Sequence, residues 1–276
     1  MPRFPHILRL PSKLRRRARR QRMATLLALL AFCSLPLLLP LYVVYRPPGL
    51  LIAGFARRWP DVLWRVNLPS SPTTSPDGQP APKLVALTID DVPSEHTREI
   101  LAILREHDAH ATLFVIGGQV AGHEAVLREA LAPASGHELA NHGMHDEAAR
   151  ALADGELEAQ ILQVHQLLQN IYDHTSAATP PLYFRPGSGF FSDRMRALVR
   201  SLGYRLVLGS VYPHDAQIAH PWLNTHHILG MLRPGAIVIC HDRRSWTPPM
   251  LRAMLPAAIQ QGYRFVTVTE LLAAAA

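Results

Sequence analysis

The sequence contains little cysteine, and its acidic residues are unevenly distributed. The chain has 276 residues and two cysteines, Cys33 in an apolar N-terminal run and Cys240 in the body. Two isolated cysteines exclude a disulfide framework, and neither has the spacing of a metal cluster. Residues 1–60 contain no Asp or Glu but 12 Lys and Arg residues. The excess of positive charge therefore belongs to the N-terminal segment and requires a targeting or membrane explanation.

The remainder of the chain excludes one class of partner. The formal net charge is +7, but residues 61–276 hold 16 basic and 21 acidic residues, a net charge of −5. A mildly acidic body is a poor surface for phosphate, so we expect no nucleic-acid partner. With 48% hydrophobic residues, the chain is long enough to bury one sizeable core.

The N-terminal segment has the composition of a membrane anchor. Residues 1–22 hold nine Lys and Arg residues, and an apolar run follows over residues 23–45. Its length is close to the roughly 20 residues that a helix needs to cross a bilayer. Basic residues before such a run tend to stay in the cytosol. We therefore predict a basic cytosolic tail, a transmembrane signal anchor and a body on the non-cytosolic side. The alternatives are a cleaved signal with secretion, and an Arg-rich organellar transit peptide.

Residues 46–82 are predicted as a juxtamembrane segment and a linker. Four large apolar side chains would pack either on the folded domain or on a membrane surface: Leu51, Phe55, Trp59 and Trp64. Residues 69–82 are rich in Pro and Ser, which is typical of a linker. The folded domain is expected to span residues 83–276.

Short apolar runs alternate with helical patterns throughout this domain. The predicted strands are 84–89, 111–116, 137–141, 182–184, 205–208, 236–240 and 264–268. The predicted helices are 94–107, 120–132, 154–172, 192–202, 221–232, 249–260 and 269–275, with Ser94 and Ser192 as start signals. Such alternation favours an α/β fold, a distorted (β/α) barrel of about seven parallel strands, with an open doubly wound sheet as the alternative. In both, active residues lie at the carboxyl ends of the strands.

Two strand ends carry groups suited to metal and base chemistry. Asp90 and Asp91 follow the first predicted strand, and a cation between two such carboxylates would relieve their repulsion, with one as ligand and the other as base. A helix N-cap is the structural alternative for this pair. His142 is followed by His145 and Asp146, three and four residues later. On a helical turn, both would lie on nearly the same face as His142. Spacing alone leaves open which of the two would pair with His142.

Two further strand ends carry groups suited to hydrolysis. Arg185 could orient a carboxylate, and the turn at Gly187 and Ser188 could present backbone N–H groups to an oxyanion. An ordinary strand-to-helix turn is the structural alternative. His241 follows another buried strand and is suited to protonating a leaving amine. A single histidine in such a place is more often structural. Asp215 follows a fifth strand.

These motifs, in this order, resemble the polysaccharide deacetylase (NodB-homology) family, carbohydrate esterase family four. The resemblance runs from about residue 83 to residue 272. The matched segments are Thr88–Asp91 (Thr-Phe-Asp-Asp), His142–Asp146 (His-Ser/Thr-x-x-His), Arg185–Gly189 (Arg-Pro-Pro-Tyr-Gly), Asp215–Ala216 (Asp-Trp) and Ile237–His241 (Leu-x-x-His). Three of the departures from the pattern bear on the site: Asp146 replaces the second His, Ser188 the aromatic residue and Ala216 the Trp that would line an acetyl pocket. The chain resembles a divergent, fungal or other microbial branch.

The resemblance implies a role for each metal-binding and base residue. Asp90 would be the general base, and Asp91, His142 and Asp146 would bind one divalent ion. His145 is the alternative to Asp146. Zinc is the first choice, and an additional carboxylate ligand makes Mn²⁺, Co²⁺ or Mg²⁺ more competitive.

The remaining implied roles complete a deacetylase. Arg185 would position Asp90, and His241 would be the acid. Asp215 would position Arg185 or His241, and Gly187 or Ser188 would bind the oxyanion. The implied reaction is hydrolysis of the amide bond in N-acetylated sugars of a chitin-like or N-acetylglucosamine-containing glycan. The alternatives are an inactive, membrane-anchored carbohydrate-binding protein and a deacylase of another small amide or ester.

Overall fold

The computed structural model describes residues 12–69 and 82–276. Residues 1–11 of the predicted basic tail and residues 70–81 of the predicted linker lie outside the described residues. The chain forms two compact units, Met1–Pro48 and Gly49–Ala276.

The first unit consists of a long helix, α1 (Ser12–Tyr45), which includes Pro36 and Pro40. Its portion Arg19–Tyr45 is long and apolar enough to cross a membrane, with a mean hydropathy of 2.4 over an 18-residue window. Such a helix occurs both in membrane anchors and in signal sequences.

The second unit is built on a parallel sheet of eight strands. They are β1 (Val62–Leu63), β2 (Lys83–Val92), β3 (Ala111–Val115), β4 (Glu138–Asn141), β5 (Tyr183–Phe184), β6 (Arg205–Val207), β7 (Ile237–His241) and β8 (Tyr263–Val266). The order is β1-β6-β5-β4-β3-β2-β7, and β8 pairs with the first part of β2. All seven predicted strands are present, and β1 is an eighth that the sequence did not predict.

The sheet curls so that its two sides meet. Val211, which follows β6, forms a parallel bridge with Val238 of β7, and the Ile239 amide donates to the Val211 carbonyl at 2.9 Å. The predicted distorted barrel is thereby confirmed, and the open doubly wound alternative is wrong. The curl brings the end of β6 beside the end of β7, and the site depends on this arrangement.

Burial of continuous apolar runs explains why β2 and β3 are central. β2 is buried from Val85 to Val92, and every residue of β3 is buried. A parallel strand covered on both faces requires such a run and not an alternating one. Each fully buried Leu or Ile side chain contributes about 1.5–3 kcal/mol, so these two strands stabilise the centre of the sheet.

The helices of this unit are α2 (Gly49–Arg58), α3 (Thr97–Glu106), α4 (Glu124–Ala130), α5 (Asp154–Tyr172), α6 (Asp193–Ser201), α7 (Pro221–Met231), α8 (Thr247–Gln260) and α9 (Val268–Ala273). The last seven correspond to the seven predicted helices, with small differences at their ends, whereas α2 was not predicted as a helix. Ser192 caps α6, accepting from the Met195 amide at 3.2 Å. The predicted start at Ser94 is wrong: α3 begins at Thr97, because the Ser94 hydroxyl donates to Asp242 at 2.6 Å.

The segment before the linker packs on the body of this unit. β1 pairs in parallel with β6, and Asp61 accepts hydrogen bonds from Arg196. Three side chains of the segment form an aromatic cluster with a residue of the body: Phe55, Trp59, Trp64 and Phe191. The packed unit therefore extends N-terminal to the predicted domain start at Lys83.

Candidate active site

The sheet register brings the predicted strand ends to one edge. Asp90 is the register partner of His241 across β2 and β7. The ladder continues past the strand ends: the His142 amide donates to the Val115 carbonyl at 2.9 Å, and the Arg185 amide to Asn141 at 3.0 Å. Backbone hydrogen bonds therefore fix the positions of these residues independently of any contact between their side chains.

Asp90 and Arg185 form a buried ion pair. Arg185 donates from Nη1 to Asp90 Oδ1 at 2.5 Å, and both residues are buried, 2% and 3% exposed. The same guanidinium donates to Thr88 Oγ1 and to the carbonyls of Val207 and Leu208. Burial lowers the pKa of Arg185, while Asp90 opposes this shift. One oxygen of Asp90 is thus held by Arg185, and Oδ2 faces the neighbouring His142.

Asp91 and His142 present two donor atoms to the same space. His142 Nε2 lies 3.6 Å from Asp91 Oδ1 and 3.9 Å from Asp90 Oδ2. His142 Nδ1 lies 2.8 Å from the Arg185 carbonyl oxygen, which only accepts, so Nδ1 carries the proton. Such a backbone contact fixes the tautomer of a metal-binding histidine. The chemistry of this pair therefore suits a divalent cation.

The electrostatics of this pair reflect burial and opposite charge. Burial opposes protonation of His142, but the carboxylates of Asp90 and Asp91 outweigh it and raise its pKa. Burial would raise the pKa of Asp91, but its hydrogen bond and attraction to His142 lower it. Asp91 has a φ of 62°, a left-handed conformation uncommon for a non-glycine residue. Both groups favour their charged forms, which indicates a site organised around charge.

His241 is held by Asp215. Its Nδ1 lies 2.8 Å from Asp215 Oδ1, and its backbone amide donates to Asp215 Oδ2 at 2.7 Å. Burial lowers the pKa of His241, but Asp215, followed by Asp90 and Asp91, raises it to about 9. Of the two roles predicted for Asp215, the contacts favour positioning His241. Arg185 instead donates to Asp90, Thr88 and two backbone carbonyls.

The turn after Arg185 has the tight geometry that its sequence predicts. Residues Gly187–Gly189 form one 3-10 turn, in which Ser188 has a φ of 64°. A Cβ at Gly187 would lie 2.0 Å from the Glu147 carbonyl oxygen, so only glycine fits there. The turn packs against the segment that follows His142. Its oxyanion role stays a prediction.

His145 and Asp146 do not form a group of three with Asp91 and His142 among the described residues. Both are exposed, and Asp146 Oδ2 lies 3.6 Å from Arg243 Nη1. The helical turn considered for this segment is absent, because Gly143 has a φ of 81° and residues 142–148 contain no helix, with bends only at 144–147. Within residues 12–69 and 82–276, no three His, Cys, Asp or Glu side chains gather as a metal-holding group. The identity of the third ligand stays a prediction.

The structure adds three side chains that the motifs did not identify. The Tyr212 ring lies 5.7 Å from the His241 ring, and Trp246 Nε1 donates to the Asp215 carbonyl at 2.8 Å. Arg244 Nη2 lies 3.8 Å from Asp91 Oδ2. Tyr212 therefore lies beside His241 and Trp246 beside Asp215, although the motif positions Ser188 and Ala216 lack an aromatic residue. Tertiary packing brings them there, so sequence spacing carried no signal for them.

Comparisons with known proteins agree with the fold and the motifs. The polysaccharide deacetylase family model matches residues 77–207. A peptidoglycan-N-acetylglucosamine deacetylase of Bacillus cereus is 34% identical over 196 residues, covering 69% of this chain and 88% of that protein.

Solved structures give the same result. Peptidoglycan deacetylase PdaC from Bacillus subtilis is similar with a TM-score of 0.63 and 26% identity, over 70% of this chain and 91% of that chain. A Bacillus anthracis pseudoenzyme of carbohydrate esterase family four, as a mutant with restored enzymatic activity, is similar with a TM-score of 0.63 and 26% identity, over 76% of this chain and 71% of that chain. The chain therefore belongs to the polysaccharide deacetylase family, hydrolases that act on carbon–nitrogen bonds other than peptide bonds.

Proposed function

We propose that this protein is a metal-dependent deacetylase that hydrolyses the acetamide of N-acetylglucosamine units in a glycan. The proposal rests on one observation. Two side-chain pairs, in each of which one residue orients the other, lie next to the two side chains that could bind a metal ion. Arg185 holds Asp90, Asp215 holds His241, and both pairs lie at the edge where Asp91 and His142 meet. The names of the similar proteins support the sugar.

Asp91 and His142 are the residues that would hold a divalent ion. Zinc ligands at about 2.0–2.2 Å in a tetrahedral arrangement are about 3.4 Å apart, close to the 3.6 Å between Asp91 Oδ1 and His142 Nε2. Asp146 is proposed as the third ligand, with His145 as the alternative. Zinc is the first choice, and Mn²⁺, Co²⁺ or Mg²⁺ become more competitive with two carboxylate ligands. When bound, the metal would supply Lewis acidity toward the acetyl carbonyl.

The side chains of the chain carry the proton transfers. Asp90 takes a proton from the attacking water through Oδ2, because Arg185 occupies Oδ1. His241, with a pKa raised to about 9, is protonated at neutral pH and donates its proton to the departing amine. Backbone N–H groups of Gly187 or Ser188 bind the developing oxyanion. Arg185 thus orients the proposed base, and Asp215 holds the proposed acid in its protonated form.

We further propose that α1 is a retained signal anchor. The basic residues that precede the apolar run support a cytosolic N-terminus and a non-cytosolic body. The chain would then be a single-pass membrane protein that reaches glycan outside the cytosol. N-terminal sequencing of the mature protein tests this: an intact basic tail supports the anchor, and a new N-terminus within or after residues 23–45 contradicts it.

One observation favours a second function. His145 and Asp146 are exposed, and neither joins Asp91 and His142 in a metal-holding group of three within residues 12–69 and 82–276, which would leave the ion with two protein ligands. A membrane-anchored protein that binds N-acetylated sugar without hydrolysing it is therefore the alternative. Saturable sugar binding without acetate release would support it.

The deciding experiment uses the full chain solubilised in detergent. Acetate release from N-acetylglucosamine oligosaccharides is measured with added zinc for the wild type, Asp90→Asn and a matched control, Asp193→Asn. The Asp193 side chain is 80% exposed on α6. We expect activity in the wild type and the control, and loss of roughly a thousandfold or more in Asp90→Asn with unchanged folding. Equal activity in Asp90→Asn would refute the mechanism.

A further inference from the structure

The helix α2, which follows α1 along the chain, has two different sides. On its inner side, Ile52 is 6% exposed, and the Phe55 ring lies 5.6 Å from the Trp59 ring and 5.1 Å from the Trp64 ring. Both tryptophan rings contact the ring of Phe191, at 5.3 Å and 6.1 Å. The inner side therefore attaches α2 to the body of the second unit.

The outer side of α2 is apolar at its start and basic at its end. Leu50 and Leu51 are 87% and 36% exposed. Arg57 and Arg58 are exposed too, and each follows one of the leucines by seven residues, which is two helical turns later on the same side. A Cβ at Gly54 would meet no described atom within 4 Å. This side is therefore open, and it carries positive charge because α2 contains no acidic residue.

A basic cavity of about 350 Å³ adjoins the C-terminal end of this helix. Pro60 and Asp61, which follow α2, line it together with Arg196, Arg200 and Arg205. Asp61 accepts two hydrogen bonds from Arg196, so one carboxylate faces three guanidinium groups. A cavity of this size and charge can accept an anionic group such as a phosphate.

The basic cavity and the proposed catalytic centre lie at opposite edges of the sheet. Arg205 begins β6 and Asp61 comes directly before β1, so the cavity is at the amino ends of these parallel strands. Asp90, Arg185 and His241 lie at or beside the carboxyl ends of their strands. A surface bound through the cavity would therefore leave the catalytic edge free for substrate.

A short linker joins α1 to α2. Only residues 46–48 separate the two helices, and the four Cα steps from Tyr45 to Gly49 span about 14 Å at most. The polar headgroup layer on each side of a bilayer is about 5–8 Å thick. If α1 crosses a membrane, as proposed above, α2 therefore begins in the headgroup layer or close to it.

We propose that the outer side of α2 and the adjoining basic cavity form a docking surface for a bilayer with anionic phospholipid headgroups. The inference rests on the signal anchor proposed above. Leu50 and Leu51 insert between the headgroups, as in an interfacial helix. Arg57, Arg58 and Arg200 bind phosphate groups of the lipids. Because the inner side of α2 packs on the body, docking turns the catalytic edge away from the bilayer.

Hydrogen exchange of the full chain, followed by mass spectrometry, tests this docking without requiring turnover. The chain is reconstituted at one copy per lipid nanodisc. One set of discs contains neutral phosphatidylcholine alone, and the other contains equal parts of phosphatidylcholine and anionic phosphatidylglycerol. The quantity compared is the exchange rate of the backbone amides of residues 49–58.

Two variants change the docking surface, and each has a matched control. The charge variant combines three substitutions: Arg57→Gln, Arg58→Gln and Arg200→Gln. Its control combines three substitutions of exposed arginines on α3 and α8: Arg98→Gln, Arg105→Gln and Arg252→Gln. The apolar variant is Leu50→Ser, and its control is Leu162→Ser, at a position that is 47% exposed on α5.

In the wild type, the α2 amides should exchange about tenfold more slowly in the anionic discs than in the neutral discs. High salt should remove this difference, because it screens charges at the surface. The charge variant should reduce the difference to about twofold or less, while its control retains it. Leu50→Ser should speed the exchange of α2 in both kinds of disc, and Leu162→Ser should leave it unchanged.

Equal exchange of α2 in both kinds of disc overturns the docking, and so does a slowing that the charge variant retains. Slowing that appears only in discs with two copies would assign the surface to a second copy of this chain, and would also overturn it. Failure of the anchor gives a different result, because the chain would then leave the discs in high salt. That outcome would refute the anchor and the docking together, whereas the others refute the docking alone.

Discussion

The proposed centre has a buried side and an exposed side, and the fold holds them differently. Asp90 and Arg185 are 3% and 2% exposed, and they lie within the continued backbone ladder of β2 and β5. The segment after His142 leaves the sheet at Gly143, and its Asp146 side chain is 53% exposed. The same edge of the sheet thus joins buried, closely paired side chains to a loop whose backbone is hydrogen-bonded at Gly143 and Met144 but whose Asp146 side chain is open to solvent.

This difference separates two tasks of the site. A general base and acid require fixed geometry and stable charge, which burial and opposite charges supply. A metal ligand or sugar contact can be completed when the ligand arrives, because the ligand itself contributes the binding energy. We therefore expect substitutions on the buried side to affect folding and rate, and those on the exposed side to affect ligand affinity.

The largest expected effect is at Arg185. Arg185→Met removes four hydrogen-bonding contacts and leaves the Asp90 carboxylate buried without a counter-charge. Breaking a buried pair in this way costs about 3–5 kcal/mol in the free energy of unfolding. Denaturant titration of the full chain, followed by tryptophan fluorescence, measures the loss, and acetate release should disappear.

Arg98→Met is the matched control, because Arg98 pairs with Glu129 at the surface with its side chain 71% exposed. It should leave the midpoint of unfolding nearly unchanged. Arg185→Lys retains the charge and keeps the test informative if Arg185→Met does not fold. Wild-type stability in Arg185→Met would mean that the buried side is not held by this pair.

The next effect concerns the pH dependence of rate. His241 has a pKa raised to about 9, principally by Asp215 against the opposing effect of burial. As the acid it must be protonated, so wild-type activity should fall as pH rises through about 9. Asp215→Asn removes the charge that holds the proton, so the alkaline limb should move toward the ordinary histidine value of about 6.5. The rate at neutral pH should fall about 10²–10³-fold.

The profile of kcat/KM between about pH 5.5 and 10 measures both changes. Asp193→Asn, at an exposed position, should leave the profile unaltered. An unchanged alkaline limb in Asp215→Asn would show that another group donates the proton.

The sequence predicts the buried side because its signals are periodic and local. The apolar pattern of α5 predicted its observed bounds, Asp154–Tyr172. A 19-residue amphipathic helix contains many apolar positions that recur with the helical period, so the pattern is easy to detect. Asp90, Arg185 and His241 converge because parallel strands end at one edge, a property of the fold class. Not every polar strand end belongs to the proposed site, however: Asp242 accepts from Ser94 and Thr97 at the start of α3.

The exposed side and the long-range contacts were not predictable in this way. The path after His142 depends on the positive φ of Gly143, which spacing arguments do not include. β1 has two residues and pairs with β6, far along the chain, so it has no periodicity to detect. Tyr212 and Trp246 reach His241 and Asp215 through tertiary packing. Sequence reasoning identified the chemistry of the site better than the path of its surrounding loops.

The smallest expected effects concern the third ligand and test the exposed side directly. If Asp146 completes the metal site, Asp146→Ala should weaken zinc binding by at least about tenfold, while His145→Ala changes it little. Equilibrium dialysis of the metal-free full chain against zinc measures this independently of activity. The reverse order would assign His145, and no effect in either variant would contradict both.

Arg243 provides a finer test, because it lies 3.6 Å from Asp146 and competes with a metal for that carboxylate. An exposed pair of this kind contributes about 0.2–1 kcal/mol, so Arg243→Ala should strengthen zinc binding by up to about fivefold. The gain must vanish when Asp146→Ala is also present, because Arg243 then has no carboxylate to withhold. A gain that persists in the double variant would arise from the general loss of positive charge near the site, and Asp146 would lose its assignment as the ligand.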